Sequence, residues 1–372
     1  MKSRYLGIDW LLIVFMIPVL LAGLVTMQSF TEATPFFSHQ IIWICLSFSV
    51  LFLFSFIDFR FLKRTDVLVA LFAIFSFLLI LLFIFGHTSN GAKSWFSLGG
   101  FSFQPSDMMK LVVILMLAKY FSRRHVEINN FKHIFISGIY ALIPFLLVFF
   151  QPDFGSAIII FFIWIGMTLV SGISKRHFLM VLGSGFIIFF ILWSFVFKPY
   201  QQNRILNFVN PMSNVHGSGY NVYQSTIAVG SGRLTGKGVG FGTQSRLKFL
   251  PEYQTDFIFA AFVEEWGFVG AMLLFLLLGL IIWRILHIAL LGATNFETLY
   301  GLGLSIYFMS HFIVNIGMNI GIMPVTGITL PFMSYGGSHL LTEFIGLGIL
   351  FGMNRYRRVA HRDDMRNEFL GI

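Results

Sequence analysis

Asp256 is the residue of this chain best placed to move a proton. It closes a polar stretch, Leu250-Pro251-Glu252-Tyr253-Gln254-Thr255-Asp256, at the point where an apolar run begins. A lone carboxylate at such a boundary can act as general base toward a hydroxyl. It can equally cap a helix, whose N-terminus favours a carboxylate. The segment before it, 198–255, carries Lys198, Arg204, Arg233, Lys237, Arg246 and Lys248 against the one acid Glu252. Gly230, Gly232, Gly236, Gly238, Gly240 and Gly242 are interleaved with those charges, and backbone N–H groups in such a stretch can come close to an anion. An anion site is therefore expected here in preference to a flexible, solvated linker. The phosphates of a lipid carrier would lie at this depth.

Glu264 and Glu265 follow Asp256 by eight and nine residues, roughly 12 to 13.5 Å deeper along a helix. Two acids inside an apolar run demand partners. On a continuous helix Glu264 lies about 80° around from Asp256 and Glu265 about 180°, so Glu264 is expected in the same cavity, with Lys110 as its partner. Lys110 itself lies in another apolar run, which a second polar stretch, Gln104-Pro105-Ser106-Asp107, leads into. Pro105 suits a first helical turn, and Asp107 and Lys110 at i and i+3 share a face. A capped helix with an internal ion pair and a charge facing a wet cavity are both compatible with that spacing. Asp153, in Gln151-Pro152-Asp153-Phe154-Gly155, reads first as a turn residue. A Pro, Gly and Ser cluster, from Asn315 and Asn319 through Pro324, Thr326, Pro331, Ser334, Tyr335, Gly336, Gly337 and Ser338, reads as a broken or re-entrant segment, tolerated where protein or a cavity satisfies its backbone. Glu343 beyond it needs a polar neighbour.

The elements that position these groups are membrane helices. Of 372 residues, 57% are hydrophobic and 11% charged, against about 25% charged in a soluble domain. Crossing ~30 Å of hydrocarbon takes about 20 apolar residues. Runs of that kind occur near 9–29, 38–57, 66–86, 105–121, 134–150, 155–173, 178–197, 256–283, 298–322 and 336–353. The expected fold is an all-α integral membrane domain of ten transmembrane helices spanning 1–372. Both termini are cytoplasmic, one long extracytoplasmic loop (198–255) joins helices 7 and 8, and a cytoplasmic tail covers 354–372. Orientation follows from 17 of the 25 Lys and Arg falling on one side, which positive-inside retention makes the cytoplasm. Lys2 and Arg4 precede the first run, but it is too long for a signal peptide and no small-residue cleavage site follows it. The net charge of +9 comes from this cytoplasmic excess and suits an anionic leaflet, with no nucleic acid implied. Neither HExxH nor paired CxxC occurs, so no protein-caged metal is expected. Ser231-Gly232-Arg233-Leu234-Thr235-Gly236-Lys237-Gly238 lacks the leading Gly and trailing Ser or Thr of a phosphate loop.

In order, Gly91-Ala92-Lys93, Gln104-Pro105-Ser106, Gln151-Pro152-Asp153, Arg204-Ile205-Leu206, Gln224-Ser225, Gly242-Thr243-Gln244-Ser245, Leu250-Pro251-Glu252 with Thr255-Asp256-Phe257-Ile258-Phe259, and Pro324-Val325-Thr326-Gly327 with Ser334-Tyr335-Gly336-Gly337-Ser338 resemble the SEDS family of shape, elongation, division and sporulation proteins. Gly242-Thr243-Gln244 and Pro324-Val325-Thr326-Gly327 are similar to the RodA branch. The resemblance implies a peptidoglycan glycosyltransferase that polymerises lipid II on the outer face of the bacterial cytoplasmic membrane, for elongation and rod shape. Asp256 matches the family's essential aspartate. Lys110, Arg204, Gln224, Ser225, Lys237, Arg246 and Lys248 are candidates to hold substrate or pyrophosphate, with Gln104, Asp107, Asp153, Glu252, Glu264 and Ser334 in support. The implied partners are lipid II, the growing glycan, a class B penicillin-binding protein that crosslinks it and other elongation-complex membrane proteins. The only implied cofactor is a divalent cation, Mg or Mn, accompanying the pyrophosphate. Asp107 stands where the family commonly has Glu, Gln254 where it has His, Arg233 where Gly is frequent and His339 where Ser is usual; His39 takes a place often held by a basic residue. A lipid II flippase using the same intramembrane charges, and a non-catalytic scaffold for which Asp256 is dispensable, are the competing functions.

Overall fold

An apolar run longer than any strand can satisfy its backbone inside hydrocarbon only as a helix, and every one of the ten apolar runs lies in a helix. The structure is a computed structural model that describes residues 7–29, 36–89, 92–98, 101–123, 131–195, 202, 206, 208, 218–247 and 249–370. The long helices are α1 (Trp10–Ser29), α2 (Phe36–Ser55), α3 (Thr65–Phe85), α4 (Pro105–Ser122), α5 (Phe131–Phe150), α6 (Phe154–Val170), α7 (Lys175–Phe195), α10 (Ile258–Leu290), α11 (Asn295–Asn319) and α12 (Gly337–Leu370). Among the described residues six helices, including α1, α2, α3, α10 and α11, are long and apolar enough to cross a membrane. The chain is a multi-pass membrane protein with an all-helical core.

Two features of the connections were not visible in the apolar pattern. Between α3 and α4 the chain forms an antiparallel sheet of three short strands, β1 (His87–Ser89), β2 (Ala92–Leu98) and β3 (Phe101–Phe103). Trp95 faces His87 across one pair and Phe96 faces Phe103 across the other. Within 198–255 lie a helix, α8 (Ser218–Ser231), and a single turn, α9 (Thr243–Arg246). The expected long loop is therefore partly folded, and α8 packs on α10.

Helices α4 and α11 form the centre. Of their 18 and 25 residues, 13 and 18 are buried, so most of their polar side chains must find partners inside the protein. Around them α6 packs on both, α10 packs on α11 and α1, and α12 lies along α2. Helix α3 buries only Leu68, Leu79 and Leu82 and is otherwise open to its surroundings, as expected of a lipid-facing helix. At one end of the bundle Arg284 donates to both carboxylate oxygens of Asp9 at 2.6 to 3.0 Å, and Lys63 pairs with Glu297 at 2.8 Å.

Candidate active site

A cavity of about 790 Å³ opens where the hairpin, the first turns of α4 and α6, the turn before α10 and the irregular segment 320–336 meet. That volume suits a sizeable ligand. Gln104, Asp107, Lys110, Asp153, Glu252 and Asp256 all line it. These are residues drawn from three stretches that the sequence separates by up to about 150 positions.

The turn bearing Asp256 is fixed from both sides. Glu252 adopts a left-handed φ of 48°, and Phe257 N–H returns to its carbonyl at 3.2 Å. Helix α10 begins only at Ile258, with Phe257 as its cap and no side-chain capping bond. Asp256 thus stands one residue before the cap position and lines the cavity. Its carbonyl accepts from the side-chain amides of Asn315 at 3.1 Å and Asn319 at 3.0 Å. Asn319 also takes the Ala260 N–H, at 3.1 Å, one of the donors a helix start leaves unpaired. The Ser334 hydroxyl donates to Thr255 O at 2.7 Å, and Tyr335 N–H to Gln254 O at 2.8 Å. The broken segment expected around Pro324 to Ser338 is indeed irregular and largely buried, and locally it serves to hold the aspartate turn.

Asp153 caps α6 through Ser156 N–H (3.0 Å) and takes a second bond from the Gln104 amide (2.9 Å). Pro105 occupies the first turn of α4, as expected. Three residues on, Asp107 and Lys110 form an ion pair at 2.9 Å with both side chains almost completely buried. His339 approaches the same Asp107 oxygen at 3.5 Å and Glu343 at 2.9 Å. Glu343 also accepts Phe332 N–H at 3.1 Å, so the polar neighbours it required are His339 and a backbone amide.

The expected pairing of Glu264 with Lys110 is wrong. Lys110 is taken by Asp107, and Glu264 does not line the cavity. Glu264 instead accepts from Lys237 Nζ (2.7 Å), Gln244 N–H (3.0 Å), Thr243 Oγ1 (3.2 Å), and Ser245 N–H and Oγ (both 3.4 Å). The helical-wheel argument failed because α10 starts at Ile258, after Asp256, so the two residues do not share one helix. Farther along, α10 breaks at Gly267, which has φ 67° and ψ −165°. The break frees backbone groups that the upstream loop takes up. Lys237 and Gly238 donate to the carbonyls of Glu264 and Glu265 at 3.0 Å, and Phe268 and Val269 donate to those of Arg233 and Leu234 at 2.8 and 3.1 Å. A side chain at Gly236 would collide with Glu265 O. Close approach is thus the reason for glycine there, and the approach is to the protein's own helix and not to an anion.

Of the other candidate binding residues, Ser225 is buried and donates to Asn319 O at 2.7 Å. Gln224 is half-buried and Arg246 exposed, and neither lines the cavity. Arg204 and Lys248 lie outside the described residues. Sequence reasoning gave no site role to the cavity-lining residues Trp43, Trp95, His311 and His339. A signal for the last was present, since His339 and Glu343 stand at i and i+4.

Residues 4–359 match the family model of cell cycle proteins that groups FtsW, RodA and SpoVE. The chain belongs to the SEDS family. Stage V sporulation protein E of Bacillus subtilis is 34% identical over 96% of this chain and 100% of that protein. Peptidoglycan glycosyltransferase MrdB of Escherichia coli is 41% identical over 77% of each chain. Among solved structures, one that concerns the structural coordination of polymerization and crosslinking by a peptidoglycan synthase complex superposes with TM-score 0.81 at 29% identity, covering 94% of this SEDS protein and 98% of that chain.

Proposed function

We propose that this SEDS protein is an inverting peptidoglycan glycosyltransferase that polymerises lipid II into β-1,4 glycan for cell elongation. The observation that carries the reading is Asp256, fixed by Asn315, Asn319, Ser334 and Tyr335 on the wall of a cavity that also contains the buried ammonium of Lys110. Asp256 takes the proton of the acceptor sugar's 4-hydroxyl. The oxygen attacks the anomeric carbon of the donor, the bond from that carbon to the diphosphate breaks, and undecaprenyl pyrophosphate leaves with the electron pair. One displacement inverts an α-linked donor to a β product and requires one base. Lys110 faces the growing negative charge in a water-poor setting, where a fixed cation is most effective. Arg204, Gln224, Arg246 and Lys248 are assigned to the outer approach of the lipid headgroup, and Mg or Mn to the pyrophosphate itself. Ser225 and Lys237 act one step back, by holding α8 and the loop in place.

The ten long helices are assigned as ten spans, with both termini in the cytoplasm and the cavity open to the outside, because 17 of 25 basic residues fall on the opposite side. A class B penicillin-binding protein is the assigned partner, supported by the relative solved as part of a synthase complex. The elongation role is supported by the RodA-type motifs and by the likeness to MrdB. Protein purified with its transpeptidase partner and supplied with lipid II in liposomes should make glycan chains, and Asp256→Asn should make none. Equal chain formation by that variant would remove Asp256 as base. Movement of labelled lipid II between leaflets without polymerisation would replace the reading with a flippase.

A further inference from the structure

Four ionisable side chains form a closed array beneath the cavity: Lys110, Asp107, His339 and Glu343. Each is nearly or fully buried. The His339 ring has a carboxylate at both nitrogens, Asp107 Oδ1 at 3.5 Å from Nδ1 and Glu343 Oε1 at 2.9 Å from Nε2. Neither contact has hydrogen-bond geometry, and Nε2 of His339 and Oε1 of Glu343 have no hydrogen-bond partner among the described residues; they are charge contacts, and only the imidazolium brings a positive charge to both carboxylates. Charge balance leads to the same state. With both carboxylates ionised, a protonated His339 makes the array two cations against two anions, whereas a neutral His339 would leave a net negative charge buried, which is costly inside a membrane.

The other polar groups around the ring belong to α11. Tyr307 places its hydroxyl 3.4 Å from His339 Nδ1, and the His311 ring lies 4.6 Å from the His339 ring. His311 faces the Thr329 carbonyl through Nδ1 at 3.3 Å. One neutral tautomer, donating from Nδ1, satisfies that contact without adding a charge.

Asp107 therefore divides its single charge between two cations. Lys110 has three donors and, among the described residues, one acceptor, Asp107 Oδ1. Because the imidazolium shares that acceptor, the ammonium is not fully neutralised and its remaining donors are available to the cavity it lines. We propose that His339 is a positioning residue: as an imidazolium between Asp107 and Glu343 it draws on the charge of Asp107 and leaves the Lys110 ammonium incompletely neutralised toward the cavity, for the diphosphate of a lipid-linked sugar. This rests on the glycosyltransferase reading above for its ligand, and on the array alone for the state of His339.

The test is a pH profile of glycan formation from lipid II by the purified complex, for wild type and His339→Asn, with KM and kcat separated. Wild-type activity should fall on the alkaline side as His339 loses its proton and Asp107 turns wholly to Lys110. His339→Asn should lack that limb and be about tenfold less active at neutral pH, mainly through KM for lipid II. The same alkaline limb in both proteins would overturn the proposal. In parallel, nitrogen-15 histidine spectra of the wild-type protein in detergent, assigned by the signal missing in His339→Asn, should show both His339 ring nitrogens protonated at pH 7. A neutral-imidazole pattern would overturn the proposal even if the variant folds poorly. Should the wild type make no glycan at any pH, the functional reading falls, while the nitrogen spectrum still decides the state of His339.

Discussion

Two groups of buried acids in this molecule are handled in opposite ways. Glu264 is enclosed by donors from residues 237–245 that leave it no face toward the cavity. Asp107 is equally buried but lies at a cavity wall, and its Oδ2, like Nε2 of His311, has no hydrogen-bond partner among the described residues. A buried polar atom left unpaired costs about 1 to 3 kcal/mol. A saturated carboxylate is thus a structural clamp, whereas an undersaturated array beside a cavity is arranged for something that arrives later.

The contrast can be broken experimentally. Glu264→Ala should produce the largest loss of stability, about 3 to 5 kcal/mol, because it strands Lys237 and several amides at once; thermal unfolding in detergent measures it. Lys110→Met should cost about 3 kcal/mol by removing the nearer of the two cations that share Asp107. Adding Asp107→Leu should restore much of that stability, since an apolar pair can replace a buried ion pair at little cost, while glycan synthesis stays at least a hundredfold down. Recovery of synthesis in the double variant would make the floor of the cavity as purely structural as the clamp. The smallest effect is expected at Arg233, whose φ of 49° is left-handed and whose carbonyl helps to fill the helix break. Arg233→Gly should stabilise by up to about 1 kcal/mol, seen as a small rise in unfolding temperature.

What could be read from the sequence was whatever depends on one residue type repeated along the chain. Long apolar runs became helices, Pro105 opened α4, and the Pro and Gly cluster near 324–337 stayed irregular. The three-stranded sheet escaped notice because its outer strands, His87–Ser89 and Phe101–Phe103, are three residues each, too short for a period of two to register, which leaves the seven-residue Ala92–Leu98 without a visible partner. Helix α8 escaped because it carries a mixed polar sequence inside a segment that reads as loop. The site divided along the same line. Asp256, Asp107, Lys110 and Gln104 could be named from local spacing, and all reach one cavity. The partner of Glu264 could not, because the wheel angle assumes that Asp256 and Glu264 share one helix and α10 starts only at Ile258. His339 could be seen as a departure from the family and at i, i+4 to Glu343, but its meaning depends on Asp107, which packing brings to it from α4.

The docking of 233–238 onto the break in α10 also bears on how the chain assembles. The two partners are about thirty residues apart, so closing this contact costs little loop entropy, and the loop is made before the helix it completes. A broken helix left alone in lipid would expose backbone groups at several kcal/mol each. The upstream loop therefore has to be on its own side of the membrane and ready before α10 can settle, which sets an order of events during synthesis. A chain in which residues 232–247 were replaced by a soluble linker should insert α10 slowly or at the wrong depth, even with every residue of α10 unchanged.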